Sequence, residues 1–389
     1  MKVVIIIPTY NEKGNIEKLI NILQEDVFPK IKNHEMNILV VDDNSPDGTA
    51  EEVRLLMKKR KNIDLNLGNK QGLGAAYVRG MTYAIEKMGA EVMFEMDADG
   101  QHDHKKIPEF LKKIDEGFDI VIGTRYSGGG SIPKNWPPQR KAFSVLGNLI
   151  VRTIFMRFSI HDWTGGFRAL KKEVFLKEKE ELTSFKGYTF QVSFLHKAVR
   201  DGFKVAEVPF HFTDRTLGDS KIAPKEYIID LLKYVFTARF KEIYHSPFMK
   251  YAIVGFSGYA INALGLEFFA RTFNIKASIA ASMGGEISIM WNFTLNNFWS
   301  FSGQKITSPL KLFLKFLQFN LISLGSLVII GLVVGGGTSI FGETPLVRQL
   351  FLIIAVGFFI IPYSYTLYNV FIWKRWKIGF LSKLQNIAG

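Results

Sequence analysis

The hydrophobic rhythm of the chain changes once. Up to about Ser246 short apolar runs alternate with mixed segments, whereas beyond it long apolar stretches carry charges only between them. In the first part, runs rich in β-branched residues predict strands at residues 3–7, 38–41, 63–67, 92–95 and 120–122. Segments with apolar residues at helical spacing predict helices at 16–24, 49–59, 74–87 and 107–116. This alternation is the sequence form of an α/β domain with a doubly wound parallel sheet. The opening run has five apolar residues before Pro8, too few for the core of a signal peptide, and reads as a buried first strand.

Two further helices, at 140–158 and 225–244, have a different pattern. In the first, Phe143, Leu146, Leu149, Ile150, Ile154 and Phe155 share the helix with Arg140, Lys141, Arg152 and Arg157; the second is similar but more mixed in charge. Such helices suit a membrane surface, or a seat on the sheet, and periodicity does not separate the two. Beyond them lie four candidate spans at 251–270, 278–298, 313–335 and 350–373, each near the ~20 residues a bilayer needs. The second is the weakest, because it carries Glu286, Asn292, Asn296 and Asn297. The expected organisation is a nucleotide-binding domain over 1–223 that includes the helix at 140–158, an interfacial helix and linker over 224–246, and a four-helix transmembrane domain over 247–389.

Four spans put both ends on one side of the membrane. Lys241, Lys250, Lys305, Lys311, Lys315, Lys374, Arg375 and Lys377 then share that side, against Arg271, Lys276 and Arg348 on the other. The excess of basic residues predicts a multi-pass protein of the cell membrane whose first part faces the cytoplasm. Composition narrows the partners. The net charge of +13 suggests an anionic partner, and the spans turn that reading from nucleic acid toward an anionic membrane surface and phosphorylated substrates. With no cysteine, thiol catalysis, disulfides and thiolate metal sites are excluded. The 34 phenylalanines fit lipid contact.

Ligands of doubly wound sheets bind at the carboxyl ends of the strands, and four polar motifs fall there: PTYNE, DDNSPDGT, DADGQH and GTRY. In DADGQH, the side chains of Asp97, Asp99 and Gln101 project one way if the chain is extended. Two carboxylates and an amide oxygen suit a hard divalent cation that keeps waters and bridges phosphates, while an acidic turn is the plainer alternative. In PTYNE, Pro8, Tyr10 and Glu12 offer a ring to flank a nucleobase and a carboxylate to accept its donors. Asp42 and Asp43 close the second strand; Asp43 serves the same crevice or caps its loop. QGLGAA, at 71–76, is a small-residue turn into a helix that suits either a phosphate loop or a tight turn.

Arg125, at a strand end, and Arg140, opening the first surface helix, suit paired hydrogen bonds to a lipid phosphate, with Ser144 one turn further on. Attraction to anionic lipid, or solvation at a helix surface, is the alternative for both arginines. In the RTLGDSK loop, Arg215 and Lys221 are suited to close over a diphosphate as it gathers charge. Glu267 and Glu286 mark either a polar lipid pathway or bonding within the helix bundle and near a span end.

Taken together, PTYNE, VVDDNSPDGT, DADGQH, GTRY, WPPQRK and RTLGDSK resemble the GT-A-type fold of inverting family 2 glycosyltransferases, specifically the dolichol-phosphate (polyprenyl-phosphate) mannose synthases. The resemblance runs from Lys2 to Tyr244, and the remaining part resembles a GtrA-like membrane module. It implies Mg²⁺ or Mn²⁺ on Asp97, Asp99 and Gln101, and donor contacts at Pro8, Tyr10, Glu12, Val41, Asp43, Ala98, Arg215 and Lys221. It also implies acceptor-phosphate contacts at Arg125, Arg140 and Ser144. Relatives more often have an apolar residue at the position of Gly100 and prolines after His102, so this loop departs from the pattern. The expected reaction moves mannose from GDP-mannose to dolichyl or another polyprenyl phosphate in the bilayer, with inversion. Asp99, Arg125, Arg140 and Lys221 carry the catalysis in this expectation. A phosphate monoester is largely dianionic at neutral pH and needs positioning rather than a base. UDP-glucose is the alternative donor. A processive polysaccharide synthase is a further alternative, but its QxxRW motif is absent, and a non-enzymatic role in lipid transport conflicts with the intact DADGQ.

Overall fold

The computed structural model describes residues 1–182, 187–213, 225–274 and 276–376. The chain divides into two compact units, Met1–Arg239 and Phe240–Gly389, the division falling within the expected interfacial segment.

The first unit is built on strands β1 (Lys2–Thr9), β2 (Glu35–Asp42), β3 (Ile63–Leu67), β4 (Val92–Glu95), β5 (Ile120–Thr124), β6 (Arg168–Lys171) and β7 (Val205–Pro209). They form one sheet in the order β3-β2-β1-β4-β6-β5-β7. The sheet is mixed where the sequence reads as wholly parallel: β6 runs antiparallel to both β4 and β5, with Arg168 opposite Glu95 and Ile122. The five expected strands all form. Residues 3–7 of β1 are fully buried because helices cover both faces. Alternate side chains separate: Val3, Ile5 and Ile7 join one core with α1 (Asn15–Ile22), α2 (Thr49–Lys59) and α4 (Ile107–Asp115). Val4 and Ile6 join the other, with α3 (Leu73–Glu86), α5 (Pro138–Phe155), α6 (Lys172–Leu182) and α7 (Gly187–Arg200).

Helix α5 has a buried face and an exposed apolar face. Val151 and Phe155 are buried in the second core, while Phe143, Leu146, Leu149 and Ile150 stand exposed. Helix α8 (Lys225–His245) behaves similarly, burying Val235 and exposing Ile229, Phe236 and Phe240.

In the second unit, α9 (Pro247–Thr272) is capped by the Ser246 hydroxyl, which accepts from the Met249 N–H at 3.1 Å. Helix α10 (Ala277–Leu295) follows, then α11 (Pro309–Phe341), α12 (Pro345–Ile354) and α13 (Ile361–Leu367). Among the described residues three helical stretches are long and apolar enough to cross a membrane: Pro247–Thr272, Pro309–Phe341 and Gln349–Ile372. The second of the four expected spans is a helix but falls short in hydropathy, because Glu286 and Asn292 interrupt it. It packs closely on α9: a Cβ at Gly265 would lie 2.9 Å from the Gly284 Cα, so the glycines allow backbone to approach backbone. Glu267 pairs with Arg271 at 2.6 Å, both exposed near the end of α9.

Candidate active site

The parallel register brings Pro8 beside Val41 and Thr9 beside Asp42 at the carboxyl edge of the sheet. Of the two acids closing β2, Asp42 is fully buried and accepts from the Thr9 hydroxyl at 2.9 Å, the Ser45 hydroxyl at 2.5 Å and the Ser45 N–H at 2.9 Å. It holds the loop. Asp43 forms an ion pair with Arg79 of α3 at 2.6 Å. Tyr10 lies under the Lys70 ammonium, 3.4 Å from its ring centroid, and Glu12 accepts from the Asn15 side chain at 2.9 Å. The Val41 side chain is buried against Gly80, which leaves only its backbone at the carboxyl edge of the sheet. Arg79 and Lys70 escaped the sequence reading because no motif marks them; they become visible only when α3 and its preceding loop pack beside β1 and β2.

Past the end of β4 the chain turns at Gly100, whose φ of 74° lies in the left-handed region that glycine adopts without strain. A side chain at this position would strain the turn. The Asp99 carboxylate accepts from the Gln101 N–H at 3.1 Å, and Gln101 Nε2 donates to the Thr213 carbonyl at 3.3 Å. Asp97 is the more open carboxylate, at 37 % side-chain exposure, and accepts from the Tyr77 hydroxyl at 3.2 Å. Ala98 is buried between them. The Asp97 N–H donates to His102 Nδ1 at 3.1 Å, which leaves the proton of the neutral ring on Nε2, 3.7 Å from Asp97 Oδ2. Burial holds the pKa of His102 down to about 4, so the ring is neutral at physiological pH.

Below this turn, Glu95 is fully buried and pushed up to about 7 by burial, an effect offset in part by the charge of Arg168. Arg168 is itself buried and donates hydrogen bonds to the carbonyls of Gly165, Gln191 and Trp163. Among the described residues no three His, Asp or Glu side chains gather as a ligand set. The oxygen donors of Asp97, Asp99 and Gln101 fit a hard cation whose other ligands are water and phosphate.

Just beyond the end of β5, Arg125 grips Asp162 through its guanidinium, at 2.7 and 2.8 Å, and also donates to Thr164 at 2.9 Å. Burial pushes the Asp162 carboxyl up, but Arg125 outweighs it and holds the group below the usual carboxylate range. The Arg140 guanidinium lies over Trp136, 3.9 Å from the ring centroid, while the Ser144 and Tyr126 hydroxyls bond at 2.5 Å. Trp136 meets Phe212 edge to face at 5.7 Å, and Phe212 in turn lies 5.4 Å from the Arg125 guanidinium. The two arginines therefore flank one aromatic pair. Arg215 and Lys221 lie outside the described residues.

Residues 4–177 match glycosyl transferase family 2, and residues 250–373 match the GtrA/DPMS transmembrane domain. The chain is 39% identical over 225 residues to polyprenol monophosphomannose synthase of Mycolicibacterium smegmatis, covering 57% of this chain and 81% of that protein. It is 34% identical over 330 residues to dolichol-phosphate mannosyltransferase of Pyrococcus furiosus, covering 85% and 88% respectively. Undecaprenyl-phosphate mannosyltransferase of Micrococcus luteus is 35% identical over 245 residues, covering 62% of this chain and 97% of that protein. A crystal structure of glucosyl-3-phosphoglycerate synthase from Mycobacterium tuberculosis, with Mn²⁺ and uridine diphosphate, is 17% identical with a TM-score of 0.43. It covers 61% of this chain and 79% of that one, a likeness too loose to bear on the chemistry.

Proposed function

Because the chain belongs to the family 2 glycosyltransferases, we propose that it transfers mannose from GDP-mannose to the phosphate of a polyprenyl lipid such as dolichyl phosphate, with inversion. The observation that carries this reading is an oxygen-rich turn, Asp97 to Gln101, linked through Thr213 and Phe212 to arginines held at Trp136 and Phe212. One feature suits a nucleoside diphosphate with its cation, the other an anion that must be oriented. The names of the three relatives, each joining mannose to a polyprenol carrier, support the sugar and the acceptor class.

In this mechanism Pro8, Tyr10, Glu12, Val41, Asp43 and Ala98 bind the nucleoside half of the donor. Asp97, Asp99 and Gln101 would hold Mg²⁺ or Mn²⁺, which neutralises charge on the diphosphate as it departs. Arg140 and Ser144, with Arg125 behind them, orient the acceptor phosphate toward the anomeric carbon. A phosphate oxygen forms the new bond to that carbon while the bond to the diphosphate breaks on the opposite face, and GDP leaves with the electron pair. The acceptor is already dianionic near neutral pH, so no side chain has to take a proton. Arg215 and Lys221 bind the released charge. The exposed apolar faces of α5 and α8 support a seat at the membrane surface, and the basic residues flanking the spans support a cytoplasmic position.

The test is Asp99→Ala, expected to reduce transfer about a thousandfold, the several kcal/mol that a cation contributes to such a transition state. Donor binding, measured by calorimetry, should then lose its dependence on Mg²⁺ or Mn²⁺. Near-normal transfer by the unmodified enzyme in chelator contradicts the metal-assisted reading.

A further inference from the structure

The proposed mechanism leaves Trp136 without a role, although the chain fixes this residue firmly. It stands between Pro133 and the Pro137–Pro138 pair, which begins α5; Pro137 has φ of −55° and Pro138 occupies the first helical turn, where its missing N–H costs no hydrogen bond. The indole is 5% exposed, and its face carries the Arg140 guanidinium at 3.9 Å. Its neighbour Phe212 is fixed in turn, because the Phe212 N–H donates to the Ser131 carbonyl at 3.0 Å. The next residue, Thr213, accepts from the Gln101 amide at 3.3 Å and donates its hydroxyl to the Gly100 carbonyl at 3.3 Å. An unbroken series of contacts thus runs from the Gly100–Gln101 turn through Thr213, Phe212 and Trp136 to Arg140.

We propose that Trp136 is a positioning residue: its indole, braced by Phe212, presets the Arg140 guanidinium for the acceptor phosphate and ties that setting to the Gly100–Gln101 turn. An arginine in water samples many rotamers and must lose them to bind, whereas one stacked on a fixed ring has already lost them. The inference rests on the reading that Arg140 binds the acceptor phosphate, and its test separates the two.

The full-length enzyme in detergent is assayed with GDP-mannose and farnesyl phosphate, varying each in turn. Arg140→Lys keeps the charge and loses the planar fork, so the acceptor KM should rise while the donor KM stays within about twofold. Trp136→Leu keeps apolar bulk but removes the ring face, and should raise the acceptor KM about tenfold with the donor KM again little changed. Trp136→Phe, which keeps a ring, should recover most of that loss. The positioning role is overturned if Arg140→Lys raises the acceptor KM but Trp136→Leu does not. It is equally overturned if Trp136→Leu and Trp136→Phe weaken donor and acceptor alike, as a merely structural residue would. If Arg140→Lys leaves the acceptor KM unchanged, the acceptor assignment itself fails, and the role of Trp136 with it.

Discussion

Arg125 and Asp162 meet almost out of water, at 10 % and 0 % side-chain exposure, and their forked contact makes each necessary to the other. Asp162→Asn keeps the shape and removes the charge, leaving a guanidinium that burial no longer tolerates. The expected cost is about 3–5 kcal/mol, a fall in Tm of roughly 10 °C for a unit of this size. Thermal unfolding of the variant checks it, and a change below about 2 °C contradicts it. The pH dependence has a definite sign. Since the folded pKa of Asp162 lies below the usual carboxylate value, its contribution is complete above that value and is lost only as pH falls through the folded one, so stability owed to the pair is flat from pH 5 to 8. The sequence marked Arg125, Arg140, Asp97 and Asp99 because each sits in a motif at a strand or helix end. It did not mark Asp162, Arg79 or Lys70. The partners Arg125 and Asp162 lie 37 positions apart, and Asp43 and Arg79 lie 36 apart, separations that no local pattern encodes.

Among the elements, α5 has the clearest division of labour. Its inner face packs Phe155 on Trp163 at 5.3 Å and stacks it on His196 at 4.0 Å, whereas Leu146 and Leu149 on the outer face are 53% and 49% exposed. Replacing both with glutamate should leave the stability of the unit within about 0.5 kcal/mol per site, as for other exposed positions. Transfer to a polyprenyl phosphate embedded in vesicles should nevertheless fall roughly tenfold, because the apolar face holds the helix in the headgroup region. Unchanged transfer in vesicles argues against this role for α5. The strands β1 to β5 were legible because each is a short apolar or alternating apolar run between turns. Strand β6 was not: it spans four residues with arginine at their head, and Arg168 is tolerated inside through the carbonyls of Gly165, Gln191 and Trp163 and the charges of Glu95 and Asp162. The reversal of the sheet at β6 was therefore hidden, since a buried charge reads as a loop until its partners are seen. In the second unit the polar residues of α10 made it the weakest expected span, and it is the helix that falls short in hydropathy.

At the scale of the whole molecule, a glycosyltransferase unit and a membrane unit occupy one chain, and 85% of that chain aligns with the mannosyltransferase of P. furiosus. A transferase built this way takes a water-soluble donor from one phase and a lipid acceptor from another. In the proposed mechanism an oxygen-rich turn serves the first and fixed cations the second, and the contacts from Gln101 through Phe212 to Arg140 join the two within the first unit. The donor's base and sugar are the finest part of the proposal, and they turn on the proposed contacts at Pro8, Tyr10, Glu12 and Val41. The direct measurement is therefore competitive: the purified full-length enzyme receives GDP-mannose, UDP-glucose and UDP-N-acetylglucosamine at equal concentration with a polyprenyl phosphate, and the glycolipid is identified by mass and by analysis of its sugar and anomeric configuration. The account predicts mannosyl phosphate lipid as the main product, with configuration inverted relative to the donor. Faster turnover of UDP-glucose, or a product that retains the donor configuration, contradicts it.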